Sequence, residues 1–282
     1  MITPSYVLAL SCEDGPGIVH SVSGVLAQAG GNITESQQFS DPATGRFLLR
    51  LQVDVPVGAD ELRAALRPVT GRFDMTWRLD VLGRPMRTLL LVSREAHCLN
   101  DLLFRQRSGQ LPIEVPAVVS NHTDLAPLAR FYDLPLYHVP ITRETRPPAE
   151  AELLRLIEEL DIELVVLARY MQVLSDDLCR ALAGRAINIH HSFLPSFKGA
   201  RPYHQAYERG VKLIGATAHY VTGDLDEGPI IEQDVERVDH AMRPTALKAI
   251  GQDIEAQVLA RAVRWHAEHR VLLDGSRTVV FR

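Results

Sequence analysis

The amino-acid sequence predicts an α/β protein in two parts, a ferredoxin-like βαββαβ domain followed by a Rossmann-like domain with a mainly parallel sheet. Three observations carry this. Residues 1–83 alternate apolar strand-length runs and amphipathic segments in the order strand, helix, strand, strand, helix, strand, which is the split βαβ plan. Gly83-Arg84-Pro85 then reads as a hinge, opening a second domain over residues 84–282. Beyond it, apolar runs alternate with helical segments, a pattern that yields a parallel sheet covered on both faces.

In the first domain, strands are expected at Tyr6–Leu10, Asn32–Phe39, Arg46–Val53 and Met75–Leu82, and helices at Gly17–Ala29 and Asp60–Leu66. Asp14-Gly15-Pro16-Gly17 starts the first helix, because Pro is tolerated in a first turn and glycine permits a sharp entry. Val19, Val22, Val25 and Leu26 follow at helical spacing. Gly30-Gly31-Asn32 ends that helix, and Asp41-Pro42-Ala43-Thr44-Gly45 joins two strands as a hairpin. In the second domain, Thr88–Val92, Val115–Ser120, Leu136–Val139, Leu164–Leu167 and Ala186–His190 read as buried strands. Helices fall near Ala96–Arg107, Leu125–Phe131, Ala149–Leu160 and Asp176–Ala183. Gly215–Val221 and Pro229–Val238 are strands with no helix between them, and Thr245–His266 is a long amphipathic helix.

Composition narrows the function. The chain has 282 residues, 46% hydrophobic and 23% charged, with a net charge of -5, an ordinary globular balance without the basic excess of a nucleic-acid binder. Cys12, Cys98 and Cys179 are far apart and form no C-x-x-C pair, which argues for free thiols in a reducing compartment. No secretory pattern opens the chain, and no apolar run approaches the roughly 18–20 residues that span a bilayer. The expectation is a cytoplasmic protein with neither membrane nor nucleic acid as partner.

The chemistry concentrates in Ala186–His190 and in Leu225-Asp226-Glu227-Gly228-Pro229. Ile187 and Ile189 alternate with Asn188 and His190, so an extended chain puts the amide and the imidazole on one face. If this strand is parallel, both lie at its carboxyl end, where ligands bind in open α/β sheets. Two donors converging on one point stabilise the oxyanion formed when a carbonyl is attacked, and Asp226 supplies a carboxylate to favour the imidazolium and relay a proton. That set suits acyl transfer or hydrolysis. Taken singly, each residue is an ordinary strand-end or loop group; the combination carries the reading. A metal site competes, since His190, His191, His204, His219 and Asp226 are crowded together. Adjacent His190 and His191 are expected on opposite strand faces, however, and no H-E-x-x-H helix is present, so no metal is assigned. Ser192 lacks a G-x-S-x-G elbow, and neither a P-loop nor a G-x-G-x-x-G fingerprint supports a nucleotide cofactor.

Asn188-Ile189-His190, Ser192-x-Leu194-Pro195 and Asp226-x-Gly228-Pro229-Ile230-Ile231 resemble the core of the 10-formyltetrahydrofolate-dependent formyltransferases, over Arg87 to about Val238. His190-His191-Ser192-Phe193-Leu194-Pro195, Gly199-Ala200-Arg201-Pro202-Tyr203-His204-Gln205-Ala206 and Gly215-Ala216-Thr217-Ala218-His219-Tyr220 are similar to the formyltetrahydrofolate deformylase branch in particular. The N-terminal part resembles an ACT domain, with Asp14-Gly15-Pro16-Gly17-Ile18-Val19 and Gly31-Asn32-Ile33 at its turns. The resemblance implies Asn188, His190 and Asp226 as catalytic residues, and 10-formyltetrahydrofolate as substrate with no cofactor. Met171, Gln172, Val173, Leu174, His191, Ser192, Lys198 and His219 are implied to contact the folate, with Gln172 standing where several relatives carry Arg. An effector site over Asp14, Gly15, Gly17, Ile18, Asn32 and Ile33 is implied, with glycine inhibiting and methionine activating. Free backbone N–H groups at a helix start suit an amino-acid carboxylate. An ACT module that only mediates dimer contacts is the alternative, and a homodimer or tetramer is implied either way.

Hydrolase and transferase differ in what attacks the formyl carbon. Transferases acting on a phosphorylated amine hold the phosphate on a glycine-rich run after the first strand; here Ser93-Arg94-Glu95-Ala96-His97-Cys98-Leu99 lacks glycine and carries an acid. Water is then the nucleophile, and formate and tetrahydrofolate are the products, which balances one-carbon pools and supplies formate for purine synthesis. A formyltransferase acting on a small amine, and a non-catalytic folate or amino-acid sensor, are the other readings.

Overall fold

The computed structural model describes residues 3–142, 144–192 and 202–282, and the chain divides into two compact units. One unit comprises Met1–Arg84 with Trp265–Arg282, and the other Pro85–Arg264.

The first unit begins β1 (Ser5–Glu13), α1 (Ile18–Gln28), β2 (Asn32–Asp41), β3 (Arg46–Asp54), α2 (Ala59–Arg72) and β4 (Thr76–Val81), the six elements expected. Its sheet runs β2-β3-β1-β4, antiparallel throughout. Val22 and Leu26 of α1 and Leu62 and Leu66 of α2 bury their apolar stripe against Leu8, Leu10, Leu49 and Leu51. Gly17 caps α1 in the left-handed region at φ 87°, a conformation that glycine adopts without a Cβ clash.

In the second unit the order is β5 (Met86–Val92), α3 (His97–Arg107), β6 (Ile113–Glu114), β7 (Val118–Ser120), α4 (Ala126–Phe131), β8 (Leu136–His138), α5 (Arg146–Glu159), β9 (Leu164–Leu167), α6 (Asp176–Ala181), β10 (Ala186–His190), α7 (Pro202–Glu208), β11 (Leu213–Tyr220), β12 (Ile230–Arg237) and α8 (Pro244–Ala267). The main path of the sheet is β12-β11-β10-β9-β5-β7-β8, with β6 beside β5. Strands β8 to β10 on this path are parallel, and β11 and β12 are antiparallel. Chain order runs outward from β5 in both directions, so the crevice beyond the carboxyl ends of β5, β9 and β10 is the switch point at which such sheets bind ligands.

Sequence and structure part company at the C-terminus. β13 (Val271–Asp274) and β14 (Arg277–Val280), which the sequence reading did not separate, belong to the first unit, not to a second domain running to residue 282. The reason is a second apolar face. β1 and β3 are buried along nearly their whole length, the helices cover one side, and Leu272 and Phe281 pack on Ala9 and Leu48 of the other. Arg50 on that side is buried, donating from Nη1 to Glu35 at 2.7 Å and from Nη2 to the Glu268 carbonyl at 3.1 Å. The uninterrupted Phe47-Leu48-Leu49 run was the available signal, because a strand exposed on one face alternates.

Candidate active site

β10 ends the alternation Ile187, Asn188, Ile189, His190 with both isoleucines buried, which turns the two polar side chains to the other face as expected. Antiparallel pairing then sets Asn188 directly opposite His219 of β11. The loop leaving β11 doubles back so that Tyr220 N–H donates to the Pro229 carbonyl at 2.9 Å. Glycine is required at Gly228, where a Cβ would overlap the Tyr220 carbonyl oxygen. This close approach carries Asp226, itself in the left-handed region at φ 57°, onto the strand end. Such a backbone costs a non-glycine residue on the order of 1 kcal/mol and concentrates at functional sites.

The Asp226 carboxylate collects the other groups. Oδ2 lies 3.2 Å from His190 Nδ1, while Oδ1 lies 3.4 Å from Asn188 Nδ2 and 3.7 Å from His219 Nε2. Hydrogen bonding to His190 holds the carboxyl well below the usual carboxylate range, against the opposing effect of burial. His219 Nδ1 donates to the Tyr220 carbonyl at 2.9 Å, so in the neutral ring Nε2 is the acceptor and takes an N–H from Asn188 at 3.2 Å. Both His219 nitrogens are thereby engaged, and its position is that of a group orienting Asn188 rather than one free to bond folate. Asn188, expected as an open donor, has its amide nitrogen turned to His219 and, more loosely, to Asp226.

His191 does not take the opposite face. β10 stops at His190, the chain bends, and the two rings stack with centroids 4.7 Å apart and planes at 25°. Arg169 Nη1 lies 3.1 Å from His191 Nδ1; a guanidinium only donates, so Nδ1 accepts and the proton sits on Nε2. Burial, and next the guanidinium, push the His191 pKa down to about 4, leaving it neutral near pH 7. Nε2 of His190 and Nε2 of His191 are both buried without a partner among the described residues.

These groups wall a cavity of about 340 Å³, with Met171, Gln172, Val173 and Leu174 also in its lining. Met171 is 60% and Val173 49% exposed, an apolar rim suited to a flat heterocycle. Ser93 at the end of β5 anchors this segment, its hydroxyl accepting from Met171 N–H at 3.0 Å and donating to Asn121 at 2.6 Å. Ser192 is buried, accepts the Thr217 hydroxyl on its carbonyl, and does not line the cavity. Lys198, with the Phe193–Pro195 and Gly199–Arg201 portions of the motifs, lies outside the described residues.

Four residues beside the cavity escaped the sequence reading. Glu255 of α8, 1% exposed, receives His97 Nε2 at 2.8 Å and the Tyr203 hydroxyl at 2.7 Å, with Arg169 Nε 3.4 Å away. Burial alone would raise its pKa, but His97, Arg169 and Tyr203 outweigh burial and lower it. The visible signal was an acid between buried Ile254 and Val258 on an amphipathic helix. His97, Cys98 and Glu255 each bring one potential metal-ligand atom within 4.8 Å of the others. The carboxylate is already taken up by donors, Arg169 supplies positive charge, and burial keeps the Cys98 thiol protonated, so this is a hydrogen-bonded network. Nearby Glu95 accepts from Lys248 at 3.0 Å and Gln252 at 2.8 Å.

In the first unit, Asp14, Gly15 and Gly17 are exposed at the start of α1. Asn32 and Ile33, exposed as well, follow its far end and lie at the opposite end of the sheet, with Asn32 level with Asp54 and Ser5 and the turn level with Arg46 and Glu13, so the structure does not bring the two groups together. Ile18 is buried in the core, so it offers a ligand only its backbone.

A family model described as formyl transferase matches residues 86–263, and one described as ACT domain matches residues 6–67. The chain is 54% identical over 280 residues to a formyltetrahydrofolate deformylase of Corynebacterium sp. (strain P-1), covering 98% of each. It is 49% identical over 278 residues to that of Bacillus subtilis (strain 168), covering 97% of this chain and 93% of the relative. A crystal structure of formyltetrahydrofolate deformylase from Burkholderia mallei ATCC 23344 is similar with a TM-score of 0.96 at 51% identity, over 99% of this chain and 100% of that one. An ACT domain ahead of a formyl-transferase domain, in a chain so similar to these relatives over nearly their whole length, makes this protein a member of the formyltetrahydrofolate deformylase family.

Proposed function

We propose that the chain hydrolyses 10-formyltetrahydrofolate to formate and tetrahydrofolate, with His190 and Asp226 as the working pair. The observation that supports this most is the 3.2 Å contact of His190 Nδ1 with Asp226, which leaves Nε2 as the nitrogen without a partner among the described residues. A carboxylate holding one imidazole nitrogen makes the other a general base. Water loses a proton to His190 Nε2 as its oxygen bonds the formyl carbon; the imidazolium is stabilised by Asp226 and returns that proton to the folate N10 as the C–N bond breaks. Asn188 keeps its bond to His219 and turns the N–H held loosely by Asp226 to the oxyanion. The reaction so written needs no cofactor. Met171 to Leu174 take the pterin side of the substrate, and the products feed one-carbon pools and purine synthesis.

Formate release by Asp226→Asn and His190→Ala tests the assignment, with losses of about 10² to 10³ in turnover expected. Near-normal hydrolysis by either folded variant removes it. The amine-acceptor alternative is disfavoured, because Glu95 tied to Lys248 and Gln252 puts a carboxylate where that reading needs a phosphate site. Supplying glycinamide ribonucleotide should yield no formylated product above background.

For the ACT unit we infer an amino-acid carboxylate at the start of α1, glycine lowering and methionine raising hydrolysis, in a homo-oligomer of the cytoplasm. The exposed turn at Asp14–Gly17 and three free, buried thiols support this reading. Unchanged formate release with both amino acids present would remove the effector part.

A further inference from the structure

The Glu255 network is costly to keep. A buried carboxylate persists only with charged or donor partners, and replacing such a set by apolar side chains is often neutral or stabilising. Two further local costs accompany it here. At Gly251, one turn before Glu255 inside α8, a Cβ would overlap the Tyr203 ring and hydroxyl; a mid-helix glycine is destabilising relative to alanine. Arg169 stands in the left-handed region at φ 64°. Stability alone therefore does not account for the arrangement.

The network ends on the site. Arg169 bridges from the Glu255 carboxylate, an ion pair 3.4 Å from Nε without hydrogen-bond geometry, to His191 Nδ1, 3.1 Å from Nη1. His191 in turn stacks on His190, and both rings line the cavity with Nε2 unpartnered among the described residues. We propose that Glu255 is a positioning residue for catalysis: through Arg169 it locks His191 as the neutral Nε2–H tautomer on the face of His190, setting an N–H donor beside the nitrogen that exchanges the proton. The inference rests on the proposed role of His190. Charged and titratable groups around His191 are Arg169, His190, Asp226 and Glu255, and those around Glu255 are His97, Cys98, Tyr203 and Arg169.

The test is Glu255→Gln, read by formate release and by ¹⁵N NMR of the histidine rings. The wild-type His191 should show an acceptor-type Nδ1 and a protonated Nε2. In Glu255→Gln the signals should move toward a mixture of tautomers, with kcat down about tenfold and KM within about twofold. Glu255→Asp should recover part of both. Tyr203→Phe, which removes one donor and leaves the carboxylate, is the milder variant if Glu255→Gln does not fold, with about a threefold loss of kcat and a smaller nitrogen shift. Unchanged His191 nitrogen signals in a folded Glu255→Gln or Tyr203→Phe protein overturn the proposal, whether or not kcat falls. Failure of the His190 assignment is seen separately, as near-normal formate release by His190→Ala.

Discussion

His269 in the first unit and His191 in the second are both buried beside an arginine, and burial pushes both pKa values down, yet their hydrogen bonds differ. His269 Nε2 lies 3.2 Å from Asp80 and Nδ1 3.3 Å from Arg78, so both nitrogens are engaged. His191 uses Nδ1 on Arg169 and leaves Nε2 without a partner among the described residues. The arginines repeat the contrast. Arg50 terminates on Glu35 and the Glu268 carbonyl, whereas Arg169 passes from Glu255 to a cavity-lining ring. Burial of a polar group therefore does not by itself separate scaffold from site; what distinguishes these two rings is that the unpartnered nitrogen of His191 lies on the cavity wall.

The comparison breaks first on activity. His190→Ala should lower turnover by about 10² to 10³, whereas His269→Gln should leave the kcat of folded protein within about twofold. Comparable loss in both variants would erase the distinction. Gly228→Ala comes next: its Cβ must displace the loop from the Tyr220 carbonyl, and moving Asp226 by about 1 Å should cost about 10² in kcat, measurable by formate release. Arg50→Ala acts on the scaffold side, lowering unfolding free energy in urea by about 3 kcal/mol while kcat of the folded fraction holds. The smallest effect is on pH dependence. His191 is pushed down to about 4 and His269 is also lowered, so unfolded chains bind protons that the folded protein refuses between about pH 6.5 and 4. Stability falls as pH drops through that window, and the urea midpoint of His269→Gln should change less steeply there than that of the wild type.

Much of the site was legible because its geometry is local. Alternation at Ile187 to His190 determines which side chains share a face, and the glycine before Pro229 marks the close turn that delivers Asp226. The elements that periodicity announced appear in both units in the expected order, with boundaries in the second unit shifted by up to three residues, while the short β6 and α7 and the β13–β14 hairpin were not among them. His191 was named from the sequence but its direction escaped, because period-two reasoning ends where the strand ends, and the bend after His190 turns the next ring onto its neighbour. His97, Arg169, Tyr203 and Glu255 escaped because each sits on or after a different element and no spacing relates them.

By itself the sequence determined the two αβ patterns, the amide, imidazole and carboxylate of the cavity wall, and the poor phosphate seat after β5. Side-chain direction along a strand or helix depends on nearest neighbours, which a sequence displays. Only the tertiary structure decided which nitrogen of each histidine carries the proton, that Asn188 leans on His219, and that the C-terminal hairpin covers the second face of the β1–β3 sheet. Those outcomes depend on partners distant in the chain, whose identity is set when the sheets and helices pack.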